Sequence, residues 1–427
     1  MLKNKRTYLI PIIGFALIIF IGSILLFIPS VNKTSLSYKD CLFIATSGFT
    51  TTGITKGALV TQFDFIGQLI IAILMEIGAM GFIIFVSYFW SMKNKKMKMS
   101  DIMVINDSIS GDDYSHITKH SIFICKYMFR VQAIGALLLM IKFIPLYGFV
   151  TGIWYSIFHV ISAFSNTGFD IFGSQSMIMY ASDAYVQIIT IVIMILGSLG
   201  ILVIEDIKDK KFKFNKFKVQ TKIVVVASVF LIIVPTLLMC IYDTELSLIN
   251  SLFMSASVRN SGMTIIDFSE LSFQTKVLLG VLMLIGGGPT STSGGIRILP
   301  VVILLATVIS TLRGKNETII FWRKISPVVI RRSLTIVTVF FLLLTMGCVL
   351  FYEFNDVGIQ RIIFECISAI TNTGFSVINP NEVNIIGDSI LMFLMFAGRV
   401  GPLSMVLAFV TDNKNKYIEY PSENIVL

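Results

Sequence analysis

Charge is what this chain has least of. Only 14% of its 427 residues are Asp, Glu, Lys or Arg, against roughly a quarter in a soluble domain. Histidine is nearly absent: the three present, His116, His120 and His159, form no credible site with neighbouring acids. An intramembrane enzyme, which needs paired acids, a Ser/Lys pair or metal ligands, is therefore disfavoured. The five cysteines, Cys41, Cys125, Cys240, Cys348 and Cys366, are odd in number, scattered through apolar stretches and without ligand spacing. That argues against a disulfide framework or a transition-metal site and for buried reduced thiols. No Rossmann or Walker pattern occurs, so any nucleotide control must come from a partner. What remains is apolar: 55% of residues are hydrophobic and mean hydropathy is +0.85. The chain reads as an all-α integral membrane protein.

The apolar residues lie in eight blocks: Tyr8 to Phe27, Phe65 to Trp90, Ile122 to Ile144, Val186 to Ile204, Ile223 to Ile241, Val277 to Ile309, Leu334 to Phe351 and Ile385 to Val410. Each approaches or exceeds the about 20 residues a helix needs to cross hydrocarbon, which predicts eight spans. Net charge is +9, and its distribution follows those spans. Basic residues gather at Lys3 to Arg6, Lys93 to Lys98, Lys208 to Lys222, Arg313 to Arg332, and Lys414 with Lys416. The intervening loops carry acids such as Asp170, Asp183, Asp243, Glu245, Asp267, Glu270, Glu382 and Asp388. By the positive-inside rule both termini and the basic loops are cytoplasmic, and anionic lipid can bind those loops. Topology thus accounts for the charge without nucleic acid. The first block is read as a retained helix, since it is followed by Ile-Pro-Ser rather than a small-residue cleavage site.

Four segments align around one glycine: TSGFTTTGI (Thr46 to Ile54), ISAFSNTGF (Ile161 to Phe169), SASVRNSGM (Ser255 to Met263) and CISAITNTGF (Cys366 to Phe375). Thr or Ser precedes each glycine, and Asn precedes that hydroxyl at Asn166, Asn260 and Asn372, with Thr51 taking its place in the first copy. Such repetition marks tandem units. Each motif falls on the outer side between two spans, after ten to fourteen mostly apolar residues: Tyr38 to Phe49, Ile153 to Phe164, Leu246 to Val258 and Ile359 to Ile370. A helix of about ten residues rises about 15 Å, half the hydrocarbon thickness, so it enters and must return. One copy alone would read as an ordinary Gly or Asn helix cap. Four at equivalent places predict a central pore, because non-helical backbone at membrane depth must face protein or a water-filled path. Carbonyls turned inward replace the hydration of a cation, and the negative C-terminal ends of the short helices favour it. The predicted architecture is four tandem span, re-entrant pore helix, span repeats around one pore: residues 1–99, 100–221, 222–332 and 333–427.

Two further features fall within the spans. GGGPTSTSGG (Gly286 to Gly295) interrupts the apolar stretch Val277 to Ile309. It lacks the preceding strand and the Lys-Ser/Thr of a phosphate loop. Gly and Pro break the helix there, and the hydroxyls of Thr290, Ser291, Thr292 and Ser293 can satisfy the freed backbone. The segment reads as an intramembrane gating loop, 285–296, or more plainly as a kink. Arg399 lies inside the last apolar block, where a charge must face an aqueous path or a partner. It is expected to hold the loop or raise the cation barrier, with pairing to Glu76 as the alternative. Arg259, within the third motif, is expected to brace.

These residues resemble the Trk/Ktr/HKT superfamily of potassium uptake proteins, whose four repeats each carry one filter glycine. The resemblance spans nearly the whole chain, including the Gly-rich loop and FAGRVGPLSMVLAF (Phe396 to Phe409). The chain begins at the first repeat, which makes the Ktr-type membrane subunit the nearer subgroup. The resemblance implies a potassium filter of Thr51, Thr52, Gly53, Asn166, Thr167, Gly168, Asn260, Ser261, Gly262, Asn372, Thr373 and Gly374. It implies a gate of Gly286, Gly287, Gly288, Thr290, Ser291, Thr292, Ser293, Gly294, Gly295 and Arg399. Members with serine at the first filter glycine tend toward sodium permeation, and Gly53 there points to potassium, with sodium as a possible activator. Also implied are a homodimer, a cytosolic nucleotide-binding regulatory ring of the RCK/KTN type, no bound cofactor, and a bacterial plasma-membrane location. The alternative is a sodium-permeable or sodium-coupled carrier with alternating access. Such folds commonly show inverted repeats, whereas the four units here share one orientation.

Overall fold

The computed structural model describes residues 5–81, 117–173, 176–259, 261–379 and 382–401. The basic cluster Lys93 to Lys98, His116, Asn260, Lys3, Lys414, Lys416 and the chain beyond Gly401 lie outside the described residues. Within them the chain is mostly helical and falls into four consecutive triplets. The first holds α1 (Lys5–Phe27), α2 (Tyr38–Phe49) and α3 (Phe65–Met80). The second holds α4 (Ile117–Tyr147), α5 (Phe149–Ser165) and the bent pair α6 (Ala184–Ser198) and α7 (Ile201–Asp209). The third holds α8 (Val219–Tyr242), α9 (Leu248–Val258) and a closing element broken into α10 (Phe273–Leu284) and α11 (Ile298–Leu312). A two-stranded hairpin, β1 (Ile319–Ile320) and β2 (Arg323–Lys324), leads to the fourth: α12 (Pro327–Phe354), α13 (Ile359–Thr371) and α14 (Ile385–Val400).

Local chemistry sets the helix starts. Ser37, Asp64, Asp183, Ser247, Ser272 and Asn384 each accept a hydrogen bond from a backbone N–H of the first turn, as N-cap residues do. Three described helices are long and apolar enough to cross a membrane alone: Ile122–Tyr147, Val219–Tyr242 and Pro327–Phe354. The pair α6 and α7 makes a fourth, bent by 93°. Shorter still are α2, α5, α9 and α13, at 12, 17, 11 and 13 residues. At 1.5 Å per residue these fall short of the roughly 30 Å hydrocarbon layer.

The sixth apolar block is interrupted as its Gly-rich run foretells, with α10 and α11 separated by the loop. The second, fourth and eighth blocks differ from the continuous spans expected of them. Their closing helices stop at Met80, Ser198 and Val400, just before Gly81, Gly200 and Gly401. Those glycines have φ of +76°, +88° and +91°. A residue in that region cannot continue a right-handed helix.

Packing ties the triplets into a ring. Each closing helix lies against the short helix of the next triplet: α3 on α5, α6 on α9, α10 on α13, and α14 back on α2. Small residues permit the approach. A Cβ on Gly78, Gly197 or Gly398 would strike the carbonyl of Phe49, Phe164 or Ile370, at the end of each triplet's own short helix. Lipid supplies no hydrophobic drive between helices, so close backbone packing of this kind holds membrane helices together. Buried aromatics fill the spaces between: Phe15 on Phe49 at 5.0 Å, and Phe143 against Phe172 at 5.3 Å and Tyr180 at 5.5 Å.

Candidate functional site

The four short helices end where the ring closes, and their last residues turn the chain sharply. Thr51, Asn166 and Asn372 all adopt φ of +55°. The motif glycines follow two residues later with φ of +95° at Gly53, +84° at Gly168, +63° at Gly262 and +86° at Gly374. A Cβ on Gly53 would collide with the carbonyl oxygen of Thr167, on Gly168 with that of Ser261, on Gly262 with that of Thr373, and on Gly374 with that of Thr52. Each glycine thus abuts the carbonyl preceding the next glycine, and the fourth contact returns to the first repeat. Steric exclusion and backbone conformation independently demand glycine at all four places.

The hydroxyls before the glycines are satisfied within the wall. Thr52 pairs with Thr50 at 2.8 Å, Thr167 with Ser165 at 2.7 Å, Ser261 with Ser257 at 3.3 Å, and Thr373 with Thr371 at 2.8 Å. The residues one step earlier reach sideways. Asn372 donates to Thr52 Oγ1 at 3.0 Å and to the Met395 carbonyl at 2.8 Å, joining the fourth repeat to the first. Asn166 donates to Thr292 Oγ1 at 2.7 Å. Thr51, which stands where the others have Asn, donates to the Thr292 carbonyl at 3.3 Å.

Those last two bonds bring the Gly-rich loop to the ring. Gly286 and Ile296 close its base, with the Gly286 N–H donating to the Ile296 carbonyl at 2.8 Å. Inside, the Gly287 N–H donates to Ser293 Oγ at 2.7 Å, and Ser291 pairs with Ser293 at 2.8 Å. Gly288 N–H donates to the Ser198 carbonyl at 2.9 Å, and the Thr290 hydroxyl donates to its neighbour's carbonyl, Pro289, at 2.6 Å. Gly294 and Gly295 pass so near Thr371 and Asn372 that side chains there would touch them. Thr292 is the hub: its hydroxyl also donates to the Phe164 carbonyl at 3.1 Å, and its own carbonyl accepts from Arg399.

Arg399 donates its second amino group to the Gly78 carbonyl. It makes no pair with Glu76, whose two carboxylate oxygens have no hydrogen-bond partner among the described residues. The pairing alternative is thereby set aside, because Arg399 is held by two carbonyls. Arg259 is 3% exposed and reaches the Gly286 carbonyl at 3.5 Å, so it touches the loop base. The loop is contacted from all four repeats.

Opposite the loop, the ring opens into a cavity of about 1190 Å³ lined by all four glycines. Asp170, Asp267, Lys276 and Arg361 stand in its walls. Sequence reasoning overlooked two features here. One is Gly-x-x-Gly at Gly78 to Gly81, Gly197 to Gly200 and Gly398 to Gly401, a repeated pattern visible in the sequence once the closing helices are aligned. The other is Glu365, an acid inside a short apolar helix.

The family model TrkH, described as a cation transport protein, matches residues 4–420. Ktr system potassium uptake protein B of Bacillus subtilis is 30% identical, over 97% of this chain and 95% of its own length. Potassium/sodium uptake protein NtpJ of Enterococcus hirae is 31% identical, over 100% of this chain and 99% of its own. Among solved structures, the potassium transporter TrkH from Vibrio parahaemolyticus superposes with a TM-score of 0.78, covering 96% of this chain and 86% of that one at 17% identity. This chain is thus a multi-pass membrane protein belonging to the TrkH family of cation transport proteins.

Proposed function

We propose that the chain takes up potassium through a single pore, with the four-glycine ring as its selectivity filter and Gly286 to Gly295 as its gate. The observation that carries this reading is the closed glycine-to-carbonyl contact of the four repeats. The hydroxyls are bonded into the wall, which leaves backbone carbonyls as the groups able to replace a cation's water. Four repeats, 1–99, 100–221, 222–332 and 333–427, supply two spans each, with both termini in the cytoplasm. The loop, bonded to the ring's underside, blocks the path until moved. Arg399 holds the loop and adds a positive barrier. The Ktr-type relative favours a separate regulatory subunit, for which we propose a cytosolic nucleotide-binding ring on a homodimer.

A sodium-permeable or sodium-coupled carrier is the second reading, favoured by the potassium/sodium uptake named for the Enterococcus hirae relative. Rubidium flux into proteoliposomes under increasing sodium, comparing wild type with Gly53→Ser, separates the two. A potassium filter loses discrimination in the variant. Flux indifferent to ion identity in both proteins would refute the filter.

A further inference from the structure

The fourth repeat carries an acid that the ring contacts leave unused. Glu365 lies nine residues before Gly374 on α13 and is 2% exposed. The equivalent places in the other repeats are Ile44, His159 and Phe253. Both Glu365 oxygens are engaged by the strand leaving the ring. Ser376 Oγ donates to Oε1 at 2.8 Å, and the Val377 N–H donates to Oε2 at 3.0 Å. One turn earlier Arg361 grips the same residue from its other side, donating to the Val377 carbonyl at 3.3 Å from Nε and 3.1 Å from Nη2.

A brace alone needs only an acceptor, and a neutral amide would supply one. Burying a carboxylate is costly unless hydrogen bonds or an opposite charge compensate it, and Glu365 has two such bonds, with Arg361 gripping Val377 from the far side. Here Ser376 and Val377 line the cavity together with Gly374, so the charge stands behind the cation's approach. On the loop side the buried side chains Arg259 and Arg399 are positive, and among the described residues neither has a carboxylate hydrogen-bond partner. The cavity wall itself is mixed, with Lys276 and Arg361 beside Asp170 and Asp267. Glu365 is the buried acid directly behind Ser376 and Val377, while Arg259 and Arg399 are the cations toward the loop.

We propose that Glu365 is a positioning and specificity-determining residue of the fourth filter strand. It fixes Ser376 and Val377 beside Gly374 and adds a negative field that strengthens capture of a dehydrated cation from the cavity side. This rests on the filter reading above.

The test measures rubidium uptake by the full chain in proteoliposomes, taking the half-saturating concentration, the maximal rate and inhibition by sodium. Glu365→Gln keeps the shape and an acceptor for Val377 while removing the charge. Its half-saturating concentration should rise about tenfold with the maximal rate within about twofold, as loss of a nearby charge weakens cation binding. Ser376→Ala, which removes one bond and leaves the charge, should shift it less than about threefold. Equal effects of the two variants, or an unchanged Glu365→Gln, would overturn the proposal. Should Glu365→Gln not accumulate, Glu365→Asp decides. Half-saturation near wild type supports the charge, and a tenfold rise removes it. Gly53→Ser without altered ion preference refutes the filter itself. Altered Gly53→Ser with silent Glu365→Gln refutes only the role of Glu365.

Discussion

Three of the four closing helices end at a single glycine, and the third ends in a loop. In α3, α6 and α14 the pattern Gly-x-x-Gly does two jobs at once. Its first glycine lets the helix press on the end of its own short helix, and its second turns the chain. One residue with a fixed φ is a rigid corner. The third repeat replaces that corner with Gly286 to Gly295, held by exchangeable hydrogen bonds to Asn166, Thr51, Ser198 and Arg399. A bistable element needs bonds that can be traded for water or for one another, and among the described residues the third break carries such a set. On the gating proposal, the corners turn the chain and the loop is the part that moves.

Deleting Ser291 to Ser293 attacks this contrast most directly. Several bonds to the ring would go at once, each worth about 0.5–1.5 kcal/mol net, and a 1.4 kcal/mol shift is tenfold in population. Basal rubidium flux should rise at least about tenfold. Flux equal to wild type would make the loop one more corner. Arg399→Gln should raise basal flux by a similar order, because the Thr292 and Gly78 carbonyls lose the charged donor that spans them. A lowered flux would instead give Arg399 a role in the open path.

The corners predict loss of stability rather than altered flux. Gly200→Ala must hold φ at +88° and meets the Pro289 carbonyl, whereas around Gly81, at +76°, nothing described stands within 4 Å. Backbone strain alone costs about 1–3 kcal/mol. Both variants should melt lower in detergent, with Gly200→Ala the lower of the two. Equal melting temperatures would show that the loop yields to the corner without resistance.

The fourfold plan was legible because each repeat restates it: the glycine with its hydroxyl and the short apolar run before it. Arg399 and the Gly-rich loop were legible because charge and glycine are so out of place in an apolar stretch. What the sequence hid is pairwise geometry. Asn166 and Thr51 both turn to Thr292, more than a hundred residues away, and no local pattern announces that meeting. Nor does composition separate a continuous span from α6 bent onto α7, since Gly200 is one glycine among 30. Only alignment of the repeats reveals its partners Gly81 and Gly401.

The finest division of the comparison lies inside the loop itself. Thr292 and Ser291 are adjacent hydroxyl residues, yet Thr292 bonds outward to Asn166 and Phe164 while Ser291 bonds inward to Ser293. Thr292→Val keeps the shape and the carbonyl that accepts from Thr51 and Arg399, but removes one bond each from the Asn166 amide and the Phe164 carbonyl, which keep the longer contacts of Asn166 with Phe164 and Met194, both 3.4 Å. Loss of those bonds weakens the closed state by an amount near 1 kcal/mol, so basal rubidium flux should rise about threefold. Ser291→Ala, which breaks only the loop's internal bond, should change it by less. If the two variants matched, the outward bonds would contribute nothing to closure, and the ring and loop would be neighbours without being coupled.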